Sequence, residues 1–194
     1  MTDWLMQLPT WVITRVAGLS AFYLLTIGVV SGIFCGSPGI KGVWKARIFR
    51  FHSWTQGFGL IVAIAHVIVL AIDRYAKFDW ITLIIPFSAP QHRLEYGLGS
   101  LAMYGLLAIL LTSDFRGLLA NRIWKTIHMT AYPVFFLALI HGLFSGTDSA
   151  KPLVFWSYAA AALLVVAATV IRALTEMNKT REKRAAPIRR QPLP

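Results

Sequence analysis

The stretch from Arg122 to Ser145 reads RIWKTIHMTAYPVFFLALIHGLFS and decides the fold. It is apolar enough to cross a membrane, yet it contains two histidines. A second stretch, Arg50 to Asp73, reads RFHSWTQGFGLIVAIAHVIVLAID and repeats this pattern. An ionisable side chain inside a membrane span is costly and usually marks a functional site. One explanation is therefore needed for all four histidines: His52, His66, His128 and His141.

The composition places the chain among integral membrane proteins. It has 194 residues, 57% of them hydrophobic, and a mean hydropathy of +0.62, which is too apolar for a soluble domain of this size. The single cysteine, Cys35, excludes an internal disulfide, a cysteine-ligated iron–sulfur cluster and a zinc knuckle. The N-terminal sequence MTDWLMQLPT lacks a basic segment ahead of its apolar residues, so we expect no cleaved signal peptide.

Five charge-free windows predict an all-α bundle of five transmembrane helices. A helix needs about 20 apolar residues to cross a ~30 Å hydrocarbon core. The run Ile81–Pro86 is too short to span, so we interpret it as an interfacial or re-entrant part of the 73–94 loop. We divide the chain into an outer N-terminal segment (1–10), a membrane domain (11–174) and a basic cytoplasmic tail (175–194). The predicted helices lie near residues 11–35, 49–72, 95–113, 122–145 and 152–174.

The basic residues predict the orientation in the membrane. Fourteen of the 19 Lys and Arg residues fall in three regions, 36–50, 114–125 and 172–194, which share one side of the predicted bundle. The positive-inside rule makes that side cytoplasmic, with the N-terminus outside and the C-terminus inside. We expect a multi-pass protein of a bacterial inner membrane. The net charge of +11 therefore indicates topology and contact with anionic lipid, not nucleic acid. We expect the tail to be disordered, with docking of an acidic reductase as the alternative.

The histidine spacings place two pairs at two depths. His52 and His66 are 14 residues apart, about 21 Å along a helix and only ~40° apart around it. His128 and His141 are 13 residues apart, which is about 19.5 Å but ~140° around an ideal helix. Pro133 lies between them and can kink or rewind the helix. Both histidine helices run in the same direction, so His52 and His128 share one level and His66 and His141 the other.

Paired histidines at two levels suit haem better than zinc. One imidazole on each side of a haem iron fills both axial positions, which is typical of electron transfer. Two histidines without a nearby carboxylate or thiolate make a poor zinc site. Trp124, one turn before His128, is a candidate to pack on the inner haem.

On these residues the sequence resembles the ferric reductase-like transmembrane domain family, which includes NADPH oxidases, ferric reductases and the haem subunit of a periplasmic methionine sulfoxide reductase system. The paired spacings, WVITRVAGL near the start and the 122–145 stretch carry the resemblance over about residues 10–175. It implies two b-type haems, an inner one on His52 and His128 and an outer one on His66 and His141. Arg15 resembles the arginine that family members carry near the outer haem, where a propionate would be its anion.

Only about twenty residues follow the last predicted helix, so we expect no flavin or nucleotide domain in this chain. Because NAD(P)H gives hydride and haem passes single electrons, a flavin would enter only through a partner. The donor is then a separate flavoprotein reductase or quinol. The acceptor is ferric iron, oxygen or a periplasmic redox partner, and no catalytic residue is assigned.

Two alternatives remain open from the sequence. One is a quinol-linked di-haem cytochrome of the b561 kind, which would bind quinone near one haem. The other is a cofactor-free transporter that uses the histidines as a proton relay, although intramembrane Asp and Glu are nearly absent. Both electron-transfer hypotheses predict two haems per chain, whereas the transporter predicts none.

Overall fold

The computed structural model of the protein describes residues 9–73 and 78–185 of the 194. It confirms an all-α membrane fold, since five helices are long and apolar enough to cross a membrane. These spans cover Thr10–Cys35, Gly42–Ile72, Arg93–Asp114, Asn121–Ser145 and Pro152–Glu182. The predicted N-terminal segment, apart from Pro9 and Thr10, and the last nine residues of the tail lie outside the described residues.

The described helices are numbered in chain order. They are α1 (Thr10–Cys35), α2 (Gly42–Ile72), α3 (Trp80–Ile84), α4 (Arg93–Asp114), α5 (Asn121–Met129), α6 (Ala131–Ser145) and α7 (Pro152–Ala185). A 3₁₀ turn, Arg116–Leu118, joins α4 to α5. Together α5 and α6 form the fourth membrane span.

Two helices are longer than the sequence predicted. Helix α2 begins at Gly42 rather than near residue 49, and α7 continues to Ala185 rather than ending near 174. At 1.5 Å per residue they measure about 46 and 51 Å, well beyond a ~30 Å core. The expectation of a disordered tail is wrong for 175–185, because good helix formers such as Glu176, Lys179 and Arg181 continue the helix.

The fourth span is broken at Thr130, between α5 and α6. The backbone N–H of Thr130 bonds to the Ile127 carbonyl at 3.0 Å, a 3₁₀-type bond, and its hydroxyl donates to the same carbonyl at 2.6 Å. Pro133 has no N–H, so the Met129 carbonyl loses its normal helical partner. The span is therefore interrupted between His128 and His141, three residues before the proline.

The spans alternate in direction around an apolar core. Helix α1 starts on the side where α6 ends and α7 begins, which we call the Thr10 side. The opposite side, where α1 ends and α5 begins, is the Cys35 side. The Phe22 ring lies 5.7 Å from Phe135 and 4.7 Å from Tyr158 between centroids, midway between the two sides. This core joins α1, α6 and α7, while many large apolar side chains elsewhere face outward, as expected in lipid.

The predicted interfacial segment contains the short helix α3. Asp79 caps it by accepting a hydrogen bond from the Thr82 N–H at 2.7 Å. The hydroxyl of Ser100 on α4 donates to the Leu83 carbonyl at 3.2 Å, and Leu83 is buried. The segment therefore packs beside α4 on the Thr10 side without crossing the bundle.

Candidate functional site: two histidine pairs

Helix α1 fixes both histidines of α2 through its backbone. The Nδ1 atoms of His66 and His52 lie 2.8 Å from the carbonyl oxygens of Thr14 and Gly28, respectively. Both imidazoles therefore face α1, which confirms that they share one face of α2. The two carbonyls are 14 residues apart, as are the two histidines, because the antiparallel helices stay in register across the membrane.

A glycine beneath each ring makes this close approach possible. Gly18 follows Thr14 by four residues, and Gly32 follows Gly28 by the same step. A Cβ at Gly18 would lie 3.0 Å from Cε1 of His66, and one at Gly32 would lie 2.9 Å from Cε1 of His52. Any larger residue would push the ring away from the carbonyl it binds.

Helix α4 holds His141 of α6 in the same manner. The Nδ1 of His141 lies 2.8 Å from the carbonyl oxygen of Glu95. Gly99 is again four residues further on, and a Cβ there would lie 2.6 Å from Cε1 of His141. This is the tightest glycine–histidine contact of the three.

His128 is held differently, by side chains. Its Nδ1 lies 3.5 Å from the hydroxyl oxygen of Ser113 on α4. The Trp124 ring stacks on the imidazole, with centroids 5.0 Å apart, and its indole N–H donates to Ser113 at 3.3 Å. The Arg116 guanidinium makes a cation–π contact with Trp124, 4.0 Å from the centroid of its ring. Trp124 thus contacts the predicted ligand His128 directly.

The structure brings His52 and His128 together near the Cys35 side. Their ring centroids are 6.2 Å apart and the ring planes differ by 74°. Two imidazoles on opposite sides of one metal, each with a metal–nitrogen bond of ~2 Å, have centroids about 6 Å apart. The spacing therefore suits one metal between the two rings, without direct contact between them.

His66 and His141 line one cavity near the Thr10 side. It has a volume of about 470 Å³, within the range of small-molecule sites. Most of its wall is apolar, including Phe22, Leu106 and Met103. Three buried polar atoms of its lining have no hydrogen-bond partner in the described part of the chain: Thr14 Oγ1, Arg15 Nε and Ser145 Oγ. The cavity can therefore hold an apolar ring system with a polar edge.

Arg15 lines this cavity and has a protein counter-ion. Its guanidinium pairs with the Asp148 carboxylate, which also contacts Lys151 Nζ at 2.7 Å. The same guanidinium lies 4.3 Å from the Trp11 ring centroid. The anion that a half-buried arginine needs is therefore supplied by the α6–α7 loop, and a propionate contact stays a prediction.

The donor atoms fit haem better than a bare metal ion. Within residues 9–73 and 78–185, no group of three or more His, Cys, Asp or Glu side chains comes together. In the same residues, the three carbonyl-bound histidines make no hydrogen bond through Nε2, the atom that would bind iron. Two axial ligands are what a haem requires, because its porphyrin supplies the other four.

A scan against protein-family models finds no match to this chain, and a search of curated proteins finds none either. The spacing of the histidines revealed the pairs, but the carbonyl and glycine contacts and Ser113 were missed. A signal for them was present, since Gly18 and Gly32 repeat the 14-residue step of His52 and His66.

Proposed function

We propose that this protein transfers electrons across a membrane through two b-type haems, held by His52 with His128 and by His66 with His141. A haem with two imidazole ligands supplies one-electron transfer and has no open position at its iron. The observation behind this proposal is that four imidazoles come together as two pairs, and three of them have Nδ1 bound to a backbone carbonyl. Among residues 9–73 and 78–185, nothing hydrogen-bonds to Nε2 of these three rings.

The backbone carbonyls select the state of each imidazole that can bind iron. A carbonyl oxygen only accepts, so Nδ1 must carry the proton and Nε2 keeps its lone pair. The same bond increases the electron density on the ring and fixes its rotation. His52, His66 and His141 therefore already have the tautomer that an axial ligand needs.

The layer between the two histidine levels favours electrons over ions. Phe135 is fully buried there, beside Phe22 and Tyr158. From 19 to 27, 53 to 65, 100 to 112, 129 to 140 and 157 to 171, the spans contain no Asp, Glu, Lys or Arg. The ionisable side chains in these windows are tyrosines, including Tyr23 and Tyr158. A proton relay in a membrane normally uses carboxylates or histidines, whereas electrons can cross an apolar layer between cofactors.

The exposed charges suggest where the partners bind. Helices α2 and α7 extend beyond the apolar core on the Cys35 side, and Lys45, Arg47, Lys179 and Arg181 lie on these extensions. We assign this side to the cytoplasm, where the cations would attract anionic lipid and an acidic donor. A flavoprotein or quinol would deliver electrons here. Ferric iron, oxygen or a periplasmic redox protein would accept them on the Thr10 side.

The test is a haem assay per chain with reduced-minus-oxidised spectra of the purified protein. Wild type should contain about two b haems, and His66→Ala or His128→Ala should each lose one. The control is His92→Asn, because His92 lies outside both pairs with a side chain 62% exposed. Its backbone φ of 51° is one that asparagine tolerates.

Three results separate the hypotheses. Loss of haem in both pair variants but not in the control would support the proposal. Wild-type protein that stays colourless after expression with added haem would refute it. If haem is present, reduction by a quinol analogue without any flavoprotein would identify quinol as the donor.

A further inference from the structure

Three of the four histidines lie in one repeated structural unit. We call it the carbonyl–glycine cradle: a backbone carbonyl that binds Nδ1, followed four residues later by a glycine beneath the ring. Helix α1 has two cradles, 14 residues apart, and α4 has one. The pairs are Thr14/Gly18, Gly28/Gly32 and Glu95/Gly99.

The fourth cradle should lie 14 residues after the third, at Ile109 and Ser113. Serine stands where the other three positions have glycine. Its hydroxyl donates to the Ile109 carbonyl at 2.7 Å, and the Thr112 hydroxyl donates to the same carbonyl at 3.2 Å. The carbonyl that would bind His128 therefore already has side-chain donors. The hydroxyl oxygen itself then lies 3.5 Å from His128 Nδ1.

We propose that Ser113 is a positioning residue that replaces the cradle at His128 and makes the His52–His128 site easier to reduce than the His66–His141 site. This inference rests on the proposed haem function. It concerns the difference between the two sites, which the paired histidines alone do not explain.

The direction follows from the strength of the hydrogen-bond acceptor. A serine oxygen that also accepts from Trp124 at 3.3 Å is a weaker acceptor for His128 than a carbonyl at 2.8 Å is for the other three. The His128 ring is therefore less electron-rich and stabilises ferric iron less. The site on the proposed donor side then holds an electron more readily.

Two substitutions at position 113 should act in opposite directions. Ser113→Gly removes the Cβ and the shorter hydroxyl bond to the Ile109 carbonyl, leaving the bond from the Thr112 hydroxyl at 3.2 Å. This recreates the glycine of the cradle and should lower the midpoint potential of one haem. Ser113→Ala removes the hydroxyl acceptor but keeps the Cβ. At the other three positions a Cβ would lie only 2.6–3.0 Å from the ring. His128 should therefore lose its partner, and the same midpoint should rise.

We expect each substitution to change the ratio of the site's affinities for oxidised and reduced haem about tenfold, which shifts the midpoint potential by ~59 mV for one electron. The other haem, assigned to the cradled pair, should not move and serves as the internal control. Ser113→Thr keeps the hydroxyl and should restore the wild-type midpoint.

Shifts of opposite sign, with rescue by threonine, would support the proposal. Shifts of the same sign, or none, would overturn it, because a merely structural role predicts that glycine and alanine both weaken the site. A second measurement does not need haem. In ¹⁵N-histidine-labelled protein, the Nδ1 resonance of His128 should move in Ser113→Ala, with His92 as reference. An unmoved resonance would refute the contact, whereas a moved one in protein that binds no haem would refute only the electron-transfer function.

Discussion

Gly99 provides the most direct test of the cradles, because its contact with His141 is the tightest. A Cβ at this position would lie 2.6 Å from Cε1, 2.7 Å from Nδ1 and 2.9 Å from Nε2 of that ring. Ordinary van der Waals contact begins near 3.4 Å, so the ring must retreat by about 0.8 Å in Gly99→Ala. Its Nδ1 bond to the Glu95 carbonyl, now 2.8 Å, would then exceed hydrogen-bond length.

The expected cost has two parts. The His141 Nδ1–H that loses its acceptor, together with the overpacked ring, should lower the free energy of unfolding by about 1–3 kcal/mol. Loss of the bond that orients a ligand typically costs 10–100-fold in affinity for the metal group. We therefore expect Gly99→Ala to lose up to one of two haems per chain while His66 stays in place.

Matched glycine variants give a graded series. In Gly18→Ala the contact with His66 is 3.0 Å, so the ring needs a smaller shift and the loss should be smaller. Gly57 lies within α2 with nothing within 4 Å of an added Cβ. Gly57→Ala should therefore keep its haem and gain up to ~1 kcal/mol in helix propensity. The assays are haem content per chain and thermal unfolding in detergent. Equal haem content and equal unfolding temperatures in Gly99→Ala and Gly57→Ala would refute the cradle.

Two further predictions concern the Thr10 side. Asp148→Asn should lower stability by about 1–3 kcal/mol, because it leaves the Arg15 charge without its counter-ion. Arg15→Gln should cost less, because Asp148 keeps its contact with Lys151. A double variant no worse than Asp148→Asn, measured by unfolding in detergent, would confirm the coupling, and additive losses would contradict it. The Thr82 N–H holds the pKa of Asp79 below its ordinary value of 3.8, so its contribution to the α3 cap is present above that value and lost as pH falls through the lowered pKa. An Asp79 carboxyl that titrates at or above 3.8 by NMR would contradict this cap, and Asp79→Asn should remove the pH dependence.

Hydropathy and charge were sufficient to predict the membrane fold. A charge-free window of about twenty residues must cross the bilayer as a helix, because lipid offers no partner to the backbone. The same signal does not reveal where a helix continues into water. The charged starts and ends of α2 and α7 were therefore missed, since Lys45 and Lys179 interrupt the apolar pattern but not the backbone hydrogen bonds.

Ideal helix geometry gave the wrong relation between His128 and His141. A continuous helix would separate them by ~140°, yet both contact α4. The span is interrupted at Thr130, between the two histidines, so the relation of an uninterrupted helix does not apply to them. Pro133 pointed to a kink, but its size depends on packing that no local rule supplies.

The histidine contacts relate two parts of the bundle. Helix α1 with α2 corresponds to α4 with α5 and α6. Adding 81 to the residue numbers of the α1 cradles gives the positions on α4: Glu95, Gly99, Ile109 and Ser113. The histidines of α2 map onto those of α5 and α6 with an offset of 75 at His141 but 76 at His128. The fourth span therefore has one residue fewer between its histidines, and it is interrupted between them at Thr130. The end that contains His128 also has serine in place of glycine. In the contacts made by Nδ1, the second pair therefore departs from the first around His128, which is why we expect this contact to contribute to a difference between the two sites.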